Sequence, residues 1–206
     1  AVLRSIMPIV INPLVASIIT LSFMYFVVKN IVTPLNKGAT NWLTNLGGGS
    51  AILLGVVIGL MMAFDMGGPV NKVAYTFGVA GLSATGAGSG AGLTHMAAVM
   101  AAGMTPPLGL ALATVLRKSL FNESEIENGK AAWVLGASFI TEGAIPFAAA
   151  DPIRVIPSIM IGSAVTGGLV EAFGNTLRAP HGGIAVFPLV GGVWTYMLSL
   201  IHISEP

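Results

Sequence analysis

The chain is 206 residues long, 54% hydrophobic and only 8% charged, with a formal net charge of +1. A soluble domain is about a quarter charged, so this chain cannot cover a water-facing surface, and membrane lipid is its natural surrounding. The charge balance offers no basic stripe for nucleic acid, and the lack of cysteine excludes disulfides, thiolate catalysis and Cys-ligated metals.

A spanning helix needs about 20 apolar residues, and an interrupted one can be shorter. The first candidate covers residues 5–28, with Pro8 and Pro13 as expected kinks. Residues 31–46 mix Leu35, Trp42 and Leu46 with Lys37, Asn41 and Asn45, which predicts an amphipathic helix at the interface, closed by Gly47-Gly48-Gly49. Residues 51–64 are apolar but short, and run into Asp65-Met66-Gly67-Gly68-Pro69-Val70-Asn71-Lys72, a broken helix or re-entrant turn. Residues 73–93 are rich in small side chains, which suits close helix packing in lipid. Residues 96–104 form a further short piece that ends at Thr105-Pro106-Pro107, and residues 108–115 lead to Arg117 and Lys118.

Residues 121–130 are the clearly hydrophilic stretch and predict a solvated loop. Arg117, Lys118 and Lys130 flank it, so the positive-inside rule places it in the cytoplasm. Residues 131–140 are apolar and meet Thr141-Glu142-Gly143-Ala144-Ile145-Pro146, which is followed at once by Phe147-Ala148-Ala149-Ala150-Asp151-Pro152. A Gly-rich span over residues 155–173, the cluster Arg178-Ala179-Pro180-His181-Gly182-Gly183 and a last apolar run over 184–201 complete the pass. The expected fold is all-α: a polytopic transmembrane helical bundle of about five to seven segments, two of them interrupted, with re-entrant hairpins. It reads as a single domain over residues 1–206. The start at Ala1 and the abrupt end after an apolar run read as a fragment truncated at both ends, with a tail of uncertain origin.

A charge at bilayer depth costs about 2.5–3.5 kcal/mol on insertion scales. Asp65, Lys72, Glu142, Asp151, Arg154 and His181 therefore need partners or a wet cavity. In the first break, Asp65 and Asn71 can bind hydroxyls while Lys72 offsets charge; the alternative is a structural Asp65–Lys72 ion pair that holds the break in shape. Glu142 and Asp151 are nine residues apart and would face opposite sides of an unbroken helix. Gly143 and Pro146 argue against an unbroken helix, so a hairpin would let both acids approach one cavity. Asp151 and Arg154, three apart, suit a local structural pair. Glu142 then stands as a ligand group. His181 can donate to and accept from a sugar-like hydroxyl, or bond a loop carbonyl. His95 has no nearby acid in sequence and reads as a packing residue. Asp65 precedes Pro69 by four and Glu142 precedes Pro146 by four, each with glycine between. Paired Gly/Pro interruptions of this kind point to a transporter's binding site. Carboxylate, amide and imidazole together suit a neutral polyol. No metal, nucleotide or serine-hydrolase motif occurs, and no cofactor or metal is expected.

The strings Phe64-Asp65-Met66-Gly67-Gly68-Pro69-Val70-Asn71-Lys72 and Met100-Ala101-Ala102-Gly103-Met104-Thr105-Pro106-Pro107-Leu108-Gly109 resemble motifs of the fructose-type membrane component, EIIC, of the bacterial phosphoenolpyruvate-dependent sugar phosphotransferase system. The stretches from Phe139 to Pro152 and from Arg178 to Gly183 resemble two more, in family order. The resemblance covers nearly the whole chain apart from its tail, while residues 87–94 are less family-like. It implies a permease subunit in the inner membrane that binds fructose or a related hexose or hexitol outside and carries it inward. A cytoplasmic phosphorylated B component then donates the phosphoryl group. It also implies that Thr141 and Glu142, as a Thr-Glu pair in a re-entrant hairpin, bind sugar hydroxyls, that His181 is the family's Pro-His-Gly-Gly histidine, and that the protein forms a homodimer. The soluble A and B components are absent from this chain, and with no cysteine it cannot be a phosphocysteine carrier. Two other readings compete: an ion-coupled secondary transporter of a small polar solute, and a membrane-embedded enzyme using Glu142, Asp151 and His181 directly.

Overall fold

Apolar runs bounded by glycine, proline and short polar clusters fold as helices in the computed structural model, which describes residue 7 and residues 11–84 and 90–201. The chain divides into two compact units, one ending at Trp42 and one beginning at Leu43.

The first unit is built on helix α1 (Asn12–Phe23) and a π-helical turn (Met24–Val28). Helix α2 (Lys29–Gly47) continues without a gap, so the two predicted segments form one helical run, Asn12–Gly47, of 36 residues. Pro13 stands in the first turn of α1, where its fixed φ suits a helix. Pro8 lies outside the described residues. Leu14, Ile18, Leu21 and Phe26 are exposed along this run.

The second unit contains α3 (Ala51–Phe64), α4 (Pro69–Ala84), α5 (Ala91–Leu116), α6 (Glu123–Ala137), the short α7 (Ile145–Ala150), α8 (Pro152–Ala172) and α9 (Val193–Ile201). A two-stranded antiparallel ladder, β1 (Thr176–Leu177) with β2 (Val190–Gly191), ties the segment before α9 to the end of α8. Asn12–Gly47, α5 and α8 are long and apolar enough to cross a membrane, and α3 is a shorter apolar helix. At about 1.5 Å per residue, the 26 residues of α5 extend well beyond the hydrocarbon core. Helix α5 is also the buried axis of the unit: Met96, Val99, Met100 and Met104 are shielded from solvent.

The closest packing is between α3 and α8. A Cβ on Gly55 would collide with the Gly167 carbonyl, and one on Gly59 with the Ser163 carbonyl. Gly55-x-x-x-Gly59 on α3 thus faces Ser163-x-x-x-Gly167 on α8 backbone to backbone, the small-residue geometry that brings helices together where no water drives association. The small residues of α4 do the same against α5, with Gly81 against Gly92.

Three expectations change. Pro106 and Pro107 do not end a helix; both sit inside α5. Their missing N–H groups release the carbonyls four residues back, at Ala102 and Gly103. Ser163 donates to the first (2.9 Å) and Thr141 to the second (2.9 Å), so the ladder is completed from neighbouring elements. The hydrophilic stretch 121–130 is mostly the start of α6, not a loop. Asn122 accepts from the Glu125 N–H (2.9 Å) while Glu125 reaches back to the Asn122 N–H (2.8 Å), a reciprocal cap that a polar, acidic sequence can hide. The last apolar run is not one helix: Gly183–Leu189 is 3-10, then β2 precedes α9.

Candidate functional site

The two chain breaks meet at one cavity. At the first, Asp65 ends α3 and caps α4, accepting from the Val70 N–H (2.7 Å) and the Asn71 N–H (2.9 Å). Met66 (φ 45°) and Gly67 (φ 113°) carry the turn through the left-handed region. At the second break, α6 closes with the Ile140 N–H on the Leu135 carbonyl (2.9 Å) and the Phe139 N–H on the Gly136 carbonyl (3.1 Å). This is the bonding of a Schellman ending, in which glycine is the usual left-handed residue. Here Phe139 takes that position at φ 62°, a strain of about 1–2 kcal/mol for an L residue. Its buried ring lies 5.0 Å from His181 and 6.2 Å from Tyr75, centre to centre. The breaks touch directly, for a Cβ at Gly67 would fall on the Glu142 carboxylate.

Between them lies a cavity of about 420 Å³ lined by Met62, Asn71, Lys72, Tyr75, Phe139, Ile140, Thr141, Glu142 and His181. Its polar groups are graded in depth. Asn71 and Thr141 are buried. Asn71 donates its amide N–H to the Met62 carbonyl (2.7 Å). The Thr141 hydroxyl spends its proton on Gly103, which leaves its oxygen as an acceptor. Toward the open side, Lys72 Nζ is 3.6 Å from Glu142 Oε1, and both side chains are about half exposed (58% and 45%). A carboxylate, a hydroxyl, an amide, an ammonium and an imidazole thus converge beside the Tyr75 and Phe139 rings, a set suited to a small polyhydroxylated ligand.

Of the residues singled out in the sequence, Asn71, Thr141, Glu142 and His181 meet in this cavity together with Lys72. Asp65 does not line it, because both its oxygens are engaged by the α4 N-terminus. Lys72 pairs with Glu142 across the breaks, not with Asp65. Asp151 is also outside the cavity. It accepts from the Arg154 N–H (3.2 Å) at the start of α8 and lies 3.6 Å from the Arg154 guanidinium. His95 is not a bare packing residue: its Nδ1 is 2.7 Å from Glu171 Oε1, and its ring stacks on Phe77 at 5.5 Å. The acid comes from α8, 76 residues along the chain, so no local spacing signals it. Tyr75 and Phe139 were likewise missed as cavity walls. Among the described residues no cluster of three potential metal ligands occurs.

The family model of the phosphotransferase system EIIC matches residues 1–162. The chain is 50% identical over 202 residues to the "PTS system fructose-specific EIIB'BC component" of Vibrio cholerae, covering 98% of this chain and 34% of that protein. It is 50% identical over 184 residues to the "PTS system fructose-specific EIIC component" of Haloferax volcanii, covering 89% and 48%. It is 48% identical over 199 residues to the "Fructose permease IIC component" of Bacillus amyloliquefaciens, covering 97% and 63%. The chain therefore spans from about a third to under two thirds of these relatives' length. No solved structure matches it.

Proposed function

The chain belongs to the EIIC family of the phosphotransferase system, and from that membership we propose that it forms the sugar-binding and sugar-translocating part of a fructose permease. The observation that carries this reading is the cavity where Asn71, Thr141, Glu142 and His181 converge at two touching helix breaks. The relatives' names give fructose as the sugar; a related hexose or hexitol differs by few hydroxyl contacts. Glu142 accepts from sugar hydroxyls through charge-assisted bonds, Thr141 and Asn71 fix depth and orientation, and His181 contacts a further hydroxyl. Asp65 and the Asp151–Arg154 pair hold the breaks in shape. Each break serves as a re-entrant element within the membrane.

The phosphoryl group comes from a cytoplasmic B component. The donor's phosphorus–carrier bond breaks as the sugar oxygen–phosphorus bond forms, and Glu142 or His181 takes the hydroxyl proton. Fusion of B and C components in relatives such as the Vibrio cholerae protein supports that partnership. A bacterial inner-membrane location, a homodimer and a cytoplasmic α5–α6 connection belong to the same proposal. The test is Glu142→Gln in the intact protein in lipid. Loss of a charge-assisted acceptor should weaken fructose binding by about tenfold or more and lower phosphoenolpyruvate-dependent uptake in parallel. Unchanged affinity and uptake would sink the assignment.

A further inference from the structure

Among the described residues that line the cavity, Lys72 alone carries a fixed positive charge. Four other lining groups, Glu142, Asn71, Thr141 and His181, are available to the hydroxyls of a neutral sugar, whereas a full positive charge suits an anionic group best. The contact of Lys72 with Glu142, at 3.6 Å, is longer than a charge-assisted hydrogen bond of about 2.7–2.9 Å. The pair is held by charge more than by a shared proton, and it sits at the half-exposed side of the cavity. Glu142 there lies beside the Gly67 backbone, and the lysine stem turns about several bonds.

We propose that Lys72 is the anion-recognising group of this cavity, and that it leaves Glu142 to pair with the phosphoryl dianion of a hexose phosphate held at the open side. The inference rests on the sugar-site reading above. Glu142 alone would repel a dianion placed beside it; Lys72, 3.6 Å from that carboxylate, offsets the repulsion. The buried floor supplies neutral partners for the sugar ring, and the charged rim supplies the partner for the phosphate. The same site thus accepts both the free sugar and its ester, and the two rim charges rank them oppositely: the carboxylate favours the sugar, the ammonium favours the ester.

The test measures binding of fructose, and of fructose 1-phosphate and fructose 6-phosphate separately, to the intact protein in nanodiscs. For Lys72→Met, affinity for at least one ester should fall at least tenfold further than affinity for fructose, and Lys72→Arg should recover most of the difference. Ester binding should weaken with added salt more steeply in the native protein than in Lys72→Met. Glu142→Gln provides a second arm that does not depend on how Lys72→Met folds: fructose should bind more weakly and the ester more tightly. Equal losses for sugar and ester in Lys72→Met, or parallel changes in Glu142→Gln, overturn the inference and leave the sugar site standing. Absence of fructose binding to the native protein overturns both.

Discussion

Thr141 has two places in the fold. Its proton goes to the Gly103 carbonyl that Pro107 leaves open, and the residue is part of the cavity wall. Thr141→Val should cost about 1–3 kcal/mol by stranding that buried carbonyl, read as a lower melting temperature in detergent, and should weaken fructose binding as well. Thr141→Ser should preserve most of both. The His95–Glu171 pair makes a similar demand away from the cavity. Glu171→Ala should destabilise by about 1–3 kcal/mol through the unpartnered imidazole, while Glu171→Gln retains a hydrogen bond and loses less; equal melting of the two variants would contradict the pairing. At this scale the sequence made Glu142, Asn71 and His181 legible, since a polar group in an apolar run demands an explanation. It concealed His95–Glu171, because the partners meet only through the packing of α5 on α8. It also concealed the capping role of Asp65, which depends on which N–H groups the turn turns inward.

Helix α5 shows how an element survives a sequence that argues against it. Proline pairs end helices because two carbonyls lose their donors, and reading along the chain reveals no replacement. Ser163 and Thr141 replace them from α8 and from the second break. A double-mutant cycle tests this at the scale of the element. In Pro107→Ala the restored N–H can bond Gly103, so Thr141→Val should cost less stability there than in the native background, by about 0.5–1.5 kcal/mol. An additive result would mean that Thr141 does not repair α5. The reciprocal cap of α6 was hidden for a related reason: Asn122 and the acids after it have the composition of a loop and the spacing of a helix start. Helix boundaries at Gly47 and at Asp65, by contrast, followed directly from glycine content and the end of the apolar run.

For the whole molecule, apolar composition and interrupted runs were enough to indicate a helical membrane protein, and the three long apolar helical runs agree with that expectation. What composition did not reveal is how its second unit closes. That depends on Gly55 and Gly59 facing Ser163 and Gly167 with no side chain between them. The Gly-x-x-x-Gly spacing within α3 was the available signal. Gly59→Leu should prevent the approach, and the protein should lose its monodisperse peak on size exclusion in mild detergent, whereas Leu53→Met, at an exposed position of the same helix, should not. The double service of Thr141 also bears on how this molecule can drift over generations. Under selection for abundance alone and for sugar uptake alone, Ser163 should tolerate the same replacements in a pooled variant screen. Thr141 should fail both screens with almost everything but serine, so a lineage changing its diet would have to alter the cavity elsewhere.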